Sequence, residues 1–76
     1  MMIEWRRTGR WPNDIWVGED ENGSVRGVAV WVSAGHLGGW QVVGAHGQLL
    51  AQCEKQWSDV IEMVESQKSV TGKISA

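Results

Sequence analysis

The sequence predicts an α+β domain: an antiparallel meander sheet of four to five strands with one C-terminal helix packed on one face. Two turn signals, Asn22-Gly23 and His46-Gly47, each separate two runs with the pattern of β-strands. In the last third of the chain the hydrophobic period changes from that of a strand to that of a helix. We therefore expect a single α+β domain over residues 1–70 and a flexible C-terminal tail over residues 71–76.

The first hairpin is predicted to close with a two-residue type I′ turn at Asn22-Gly23. One of its faces then carries aliphatic pairs and is the expected core side: Ile15 opposite Val30, Val17 opposite Val28 and, near the turn, Glu19 opposite Arg26. The other face carries two indoles, two glycines and two acids: Trp16, Trp31, Gly18, Gly27, Asp14 and Asp20. We expect the helix to cover the aliphatic side and to leave the indole side bare.

The second hairpin is predicted around His46-Gly47 with the same two-residue loop length. In that register the better core face of its two strands is Trp40, Val42, Leu49, Ala51 and Cys53. The glycine-rich segment 33–39 connects the two hairpins.

A short first strand and a helix complete the prediction. Ile3 and Trp5 alternate with polar residues before a break at residues 11–13, which contain the proline of the chain. The helix is predicted over about residues 58–68, with Asp59 as its N-cap. Its apolar stripe follows the helical spacing: Trp57, Val60, Ile61 and Val64.

Composition limits the classes of function. Six tryptophans occur in 76 residues that contain neither Phe nor Tyr. A domain of this size buries only about 60% of its unfolded surface, so some indole surface is expected to remain exposed. The net charge of −2 and the pI near 5.5 disfavour a binder of duplex nucleic acid.

We expect a cytoplasmic protein with neither cofactor nor metal. One cysteine, Cys53, excludes an intrachain disulfide, and no secretory signal or membrane-spanning run is present in the sequence. The spacings of His36, His46 and Cys53 match no metal-ligand pattern. Few titratable groups could converge in a pocket, so we do not expect an enzyme.

The first functional hypothesis is a protein-binding module. Exposed indoles beside acids form a typical protein hot spot and favour a partner with a basic surface. The residues expected at this surface are Trp16, Trp31, Asp14 and Asp20, with Glu62 and Glu65 as a second acidic surface. Small acidic domains of this kind are often inhibitors or adaptors carried by phages and other mobile elements, including anti-defence proteins. A homodimer through the bare sheet face is a further possibility.

The alternative is a protein that binds single-stranded nucleic acid. Basic residues alternate with indoles near the N-terminus, a pattern that can stack bases and attract phosphates: Trp5, Arg6, Arg7, Arg10 and Trp11. The segment Glu54-Lys55-Gln56-Trp57-Ser58, which follows a sheet, resembles the helix start of the single-strand-binding coactivators of ββββα type. This likeness covers about five residues and the order of elements, and the lysine-rich strands of that family are missing. Nucleic acid is therefore the less favoured partner.

Overall fold

The computed structural model describes the backbone of residues 2–10, 13–36 and 38–75 and, within these ranges, the side chains up to Ser66. The described elements are β1 (Glu4–Gly9), β2 (Ile15–Glu19), β3 (Val25–Val32), β4 (Gly39–Gly44), β5 (Leu49–Glu54) and α1 (Trp57–Ser75). Each strand pairs antiparallel with its neighbour in sequence, which gives the sheet order β1-β2-β3-β4-β5. The predicted α+β meander with one C-terminal helix is confirmed.

The helix α1 is longer than predicted. Its first α-helical hydrogen bond runs from Val60 N to Gln56 O at 3.3 Å, so Gln56 rather than Asp59 opens the helix. Asp59 lies in the first turn, where a carboxylate interacts favourably with the helix dipole. The backbone continues helically through residues 71–75, which the sequence assigned to the tail, and Ala76 lies outside the described residues. A helix that is already anchored extends at little cost per residue.

The hairpins turn at Asn22-Gly23 and His46-Gly47 as predicted, but both close with three-residue loops, so the predicted two-residue loop length is wrong. In the first loop, Asp20 N donates to Ser24 O at 3.0 Å and Gly23 N donates to Asp20 O at 2.9 Å. Gly23 has a φ of 80°, in the left-handed region. The second loop repeats this pattern between Gly44 and Gln48. An Asn-Gly pair fits either loop, because the three-residue loop needs a left-handed residue only at its last position.

The longer first loop changes the pairing next to it. The predicted register of the first hairpin holds from Ile15 to Gly18, but Glu19 then lies opposite Val25 rather than Arg26. The extra residue in the loop is absorbed by a bulge at this point, as is common beside a three-residue turn.

Two bulges in β5 also change which residues face the core. Val42 pairs with Ala51 and Val43 with Leu49, so Leu50 is the additional residue. Leu50 packs against the core, whereas Leu49, which was predicted there, is 57% exposed. Cys53 was also predicted inside but is exposed, with a φ of 58°. A one-residue slip moves side chains to the other face of a strand, which explains both errors.

The helix covers the indole side of the sheet, so the predicted core side is wrong. The buried hydrophobic residues of the described chain are Ala29 and Val42 on the sheet and Val60 and Val64 on α1. Ala29 lies opposite Trp16, and this places the indoles of the hairpin under the helix. A Cβ at Gly27 would lie only 2.8 Å from Val64 Cγ2. The missing side chain therefore lets the helix approach the sheet closely.

The opposite side of the sheet is mostly aliphatic and is not covered by a described helix or strand. The strand registers place on it the following residues, here called the aliphatic face: Ile15, Val17, Val25, Val28, Val30, Val32, Val43 and Leu49. Val25 and Leu49 are exposed and the others are partly exposed. The described ranges contain no helix with the length and apolar character needed to cross a membrane.

Candidate functional site: an indole pocket at the start of the helix

Five indoles form one connected cluster between the sheet and the first turn of α1. The ring centroid of Trp57 lies 5.0 Å from that of Trp5, 5.6 Å from that of Trp16 and 4.8 Å from that of Trp40. Trp31 joins the cluster through Trp40, at 5.2 Å. The ring planes are inclined to one another by 54–71°, which is a favourable arrangement for aromatic pairs. Trp57 is therefore the centre of the cluster.

Part of this cluster borders a cavity. Its volume is 370 Å³, and it is lined by Trp16, Trp40 and Trp57 together with Arg7 and Asp14. We call it the indole pocket. Its three indoles are partly exposed, so a ligand can reach their rings. The volume lies at the lower end of the range of about 300–1,000 Å³ that is typical of small-molecule sites.

A cation from the chain itself lies at this pocket. Arg7 is the cross-strand partner of Trp16, and its guanidinium carbon lies 5.7 Å from the Trp16 ring centroid. The same guanidinium donates to Asp14 Oδ1 at 2.7 Å. The side chains of Arg7 and Asp14 are 43% and 33% exposed. The pocket thus combines aromatic walls, a carboxylate and a partly exposed guanidinium.

The structure brings together only some of the predicted protein-binding residues. Asp14 and Trp16 line the indole pocket, and Trp31 lies next to it through its contact with Trp40. Asp20 lies beyond the other end of β2, where its carboxylate accepts hydrogen bonds from backbone N–H groups of the first loop. Asp20 therefore stabilises the turn and is not part of the pocket.

The predicted second acidic surface lies on α1. Glu62 and Glu65 are exposed, and Glu62 lines a shallow concavity of 180 Å³ together with Glu54 and Asp59. Glu54 is the cross-strand partner of Trp40. We call Glu54, Asp59 and Glu62 the acidic edge. Through Glu54 it adjoins the indole pocket.

The residues of the nucleic-acid alternative are not gathered on one described surface. Trp5 is turned into the indole cluster, and its buried Nε1 has no hydrogen-bond partner among the described residues. Arg6 and Arg7 each pair with a carboxylate, on opposite sides of the sheet. Arg10 is exposed, and Trp11 lies outside the described residues.

Three residues of the pocket were not predicted as part of a protein-binding site. Trp40 and Trp57 were expected in the interior, and Arg7 was considered only for nucleic acid. Trp5 and Arg7 lie two residues apart in β1 and therefore on the same face. The contact of Arg7 with Trp16 could be predicted only if the register of β1 against β2 were known.

Within the described part of the chain, no group of three or more His, Cys, Asp or Glu side chains is arranged to hold a metal ion. No protein-family model, curated protein or solved structure matches the chain.

Proposed function

We propose that this chain is a non-enzymatic protein-binding module whose indole pocket engages a partner protein with a basic surface. The observation that carries the proposal is the combination of three partly exposed indoles with the Asp14 carboxylate around one cavity. Tryptophan is enriched at the residues that dominate binding energy in protein interfaces. Aromatic faces attract Lys and Arg side chains, and a nearby carboxylate strengthens that preference.

The charges around the pocket support the choice of a basic partner. Glu54, Asp59 and Glu62 form the acidic edge beside Trp40, whereas the charge of Asp14 at the pocket itself is balanced by Arg7. Such a surface attracts a basic partner and repels the phosphates of a nucleic acid. We propose binding rather than catalysis because the charged groups that line the pocket, Arg7 and Asp14, are paired with each other.

The proposal extends to the biological class of the protein. Small acidic domains that act by binding are common among the inhibitors and adaptors of phages and other mobile elements, and we place this chain in that class, acting in the cytoplasm. This step rests on composition and on the inferred mode of action alone.

A capture experiment tests the site. The tagged chain is used to capture a partner from host lysate, and the affinity of the purified partner is then measured by calorimetry. We expect a basic protein whose affinity falls about tenfold or more in the Asp14→Asn variant, because the carboxylate contributes to the recognition of a cation. Binding should also weaken as salt is added.

The matched control is Gln41→Ala, an exposed polar residue of β4 outside the indole pocket. This variant should retain the affinity of the wild type. A partner that binds Asp14→Asn as tightly as the wild type would contradict the proposed site.

A second candidate interaction is a homodimer formed through the aliphatic face. The two most exposed large aliphatic residues of the strands, Val25 and Leu49, both lie on this face. Arg6 pairs with Glu19 at 3.1 Å and Glu4 is the cross-strand partner of Glu19, so these charged groups lie together at the β1 side of the face, away from Leu49. Two sheets can then pack face to face as a sandwich about 10 Å apart.

The size of the face indicates a weak dimer. Five strands about 4.8 Å apart and about six residues long cover roughly 20 × 20 Å. This footprint is smaller than the roughly 800 Å² per partner of a standard interface, so a reversible equilibrium at micromolar concentration is expected.

Sedimentation velocity over a range of micromolar concentrations tests the dimer. The wild type should shift from monomer to dimer as its concentration rises, and Val30→Glu should remain monomeric because it would bury an unpaired charge. Ser58→Glu, which adds the same charge at an exposed position of α1, is the control and should behave as the wild type. A wild type that is monomeric throughout would exclude this dimer.

A further inference from the structure

The guanidinium of Arg7 marks the chemistry that the indole pocket accepts. It lies over the Trp16 ring, with 5.7 Å between the guanidinium carbon and the ring centroid, and it donates to Asp14 Oδ1 at 2.7 Å. The chain therefore already contains an example of a cation held between an indole and a carboxylate at this pocket.

We propose that Arg7 is an internal occupant of an arginine-binding site and that an arginine side chain of the partner protein displaces it. This inference rests on the proposed function. Arg7 is 43% exposed, so both of its contacts are made close to water, where an ion pair and a cation–π contact each contribute little. A partner arginine would make the same two contacts beneath the partner's own surface, where water is excluded and both are stronger.

The geometry favours arginine over lysine. A guanidinium is planar and delocalised, so it can lie against an indole while its N–H groups donate to a carboxylate. An ammonium group is compact and strongly hydrated, and it would lose more water on entering the pocket. The 370 Å³ cavity extends from Trp16 to Trp40, which gives an incoming side chain aromatic surface that Arg7 does not occupy.

The test removes the internal occupant and measures binding of small arginine ligands. N-acetyl-arginine amide is titrated into the wild type and into Arg7→Gln, and indole emission and the indole N–H resonances are recorded. Loss of a competitor that fills the site about nine-tenths of the time raises the apparent affinity about tenfold. We therefore expect Arg7→Gln to bind the arginine ligand about tenfold more tightly than the wild type.

Two variants and two ligand analogues serve as controls for the site. Arg6→Gln makes the same change at the next residue, which pairs with Glu19 on the other side of the sheet, and should leave the affinity at the wild-type value. Adding Asp14→Asn to Arg7→Gln should abolish the gain. The citrulline analogue has the shape of arginine without its charge and should not bind, and the lysine analogue should bind more weakly than arginine.

Circular dichroism would first show that the wild type and Arg7→Gln are both folded. Equal affinity of the two proteins for the arginine ligand would then overturn the proposal that a partner arginine displaces Arg7. Equal binding of citrulline and arginine would overturn the choice of ligand. Neither result depends on the capture of a partner, so failure of this inference is distinguishable from failure of the proposed function.

Discussion

Replacement of Trp57 by alanine is expected to lower the free energy of unfolding by about 3–5 kcal/mol, the usual cost of removing a large aromatic side chain from a packed site. Trp57 contacts Trp5, Trp16 and Trp40, so its loss separates the indoles of three strands from α1. A domain of this length has a total stability of roughly 4–11 kcal/mol. The variant should therefore lose a large part of its total stability.

Urea denaturation followed by far-ultraviolet circular dichroism measures this effect without relying on the altered indole emission. Trp57→Phe keeps an aromatic ring in the cluster and should lose less than the alanine variant. Gln56→Ala, at the exposed neighbouring position, should change the stability little. A loss below about 1 kcal/mol in Trp57→Ala would show that the cluster does not depend on this residue.

Replacement of Gly39 by alanine should have a comparable effect for a different reason. A Cβ at Gly39 would lie 2.6 Å from the carbonyl carbon and 2.8 Å from the Cα of Cys53. Both are backbone atoms of β5, so relief of the clash requires β4 and β5 to separate. Gly39 also has a φ of +157°, which other residues rarely adopt. Overpacking and backbone strain together are expected to cost about 3 kcal/mol or more.

Gly47→Ala is the matched control for this prediction. Gly47 has a φ of +79°, but a Cβ there would meet no atom within 4 Å. Its replacement should cost only the left-handed conformation, roughly 1–2 kcal/mol. Thermal and urea unfolding of both variants test the difference. Equal losses for Gly39→Ala and Gly47→Ala would show that the contact with Cys53 contributes nothing.

Most of the fold could be predicted from the sequence, because alternation and turn residues are local signals. The order of strands and the position of the helix follow from them. The sequence did not predict which side of the sheet lies under the helix. The aliphatic pairs of the first hairpin appear more apolar than the face that carries Gly18 and Gly27. In the structure these glycines are buried, and the side chains of Trp5 and Val64 occupy the space above them. The missing side chains mark where other parts of the chain approach.

The indole pocket was less predictable than the fold. Asp14 and Trp16 were proposed as binding residues from their place in the first hairpin. Arg7, Trp40 and Trp57 come from β1, β4 and α1, and the pocket exists only where these elements meet. The pairing of Arg7 with Trp16 depends on the register of β1 against β2, which the break at residues 11–13 does not specify. No local pattern encodes such a meeting point.

The meander order also has a consequence for synthesis of the chain. Each strand pairs with the strand made just before it, so the sheet can assemble step by step as the chain leaves the ribosome. Ala29 and Val42, however, are covered by Val60 and Val64, which are made after all five strands of the sheet. Until the helix docks, the nascent sheet exposes apolar residues on both sides. This intermediate is the form of the protein that we expect to be most prone to association with chaperones or with other nascent chains.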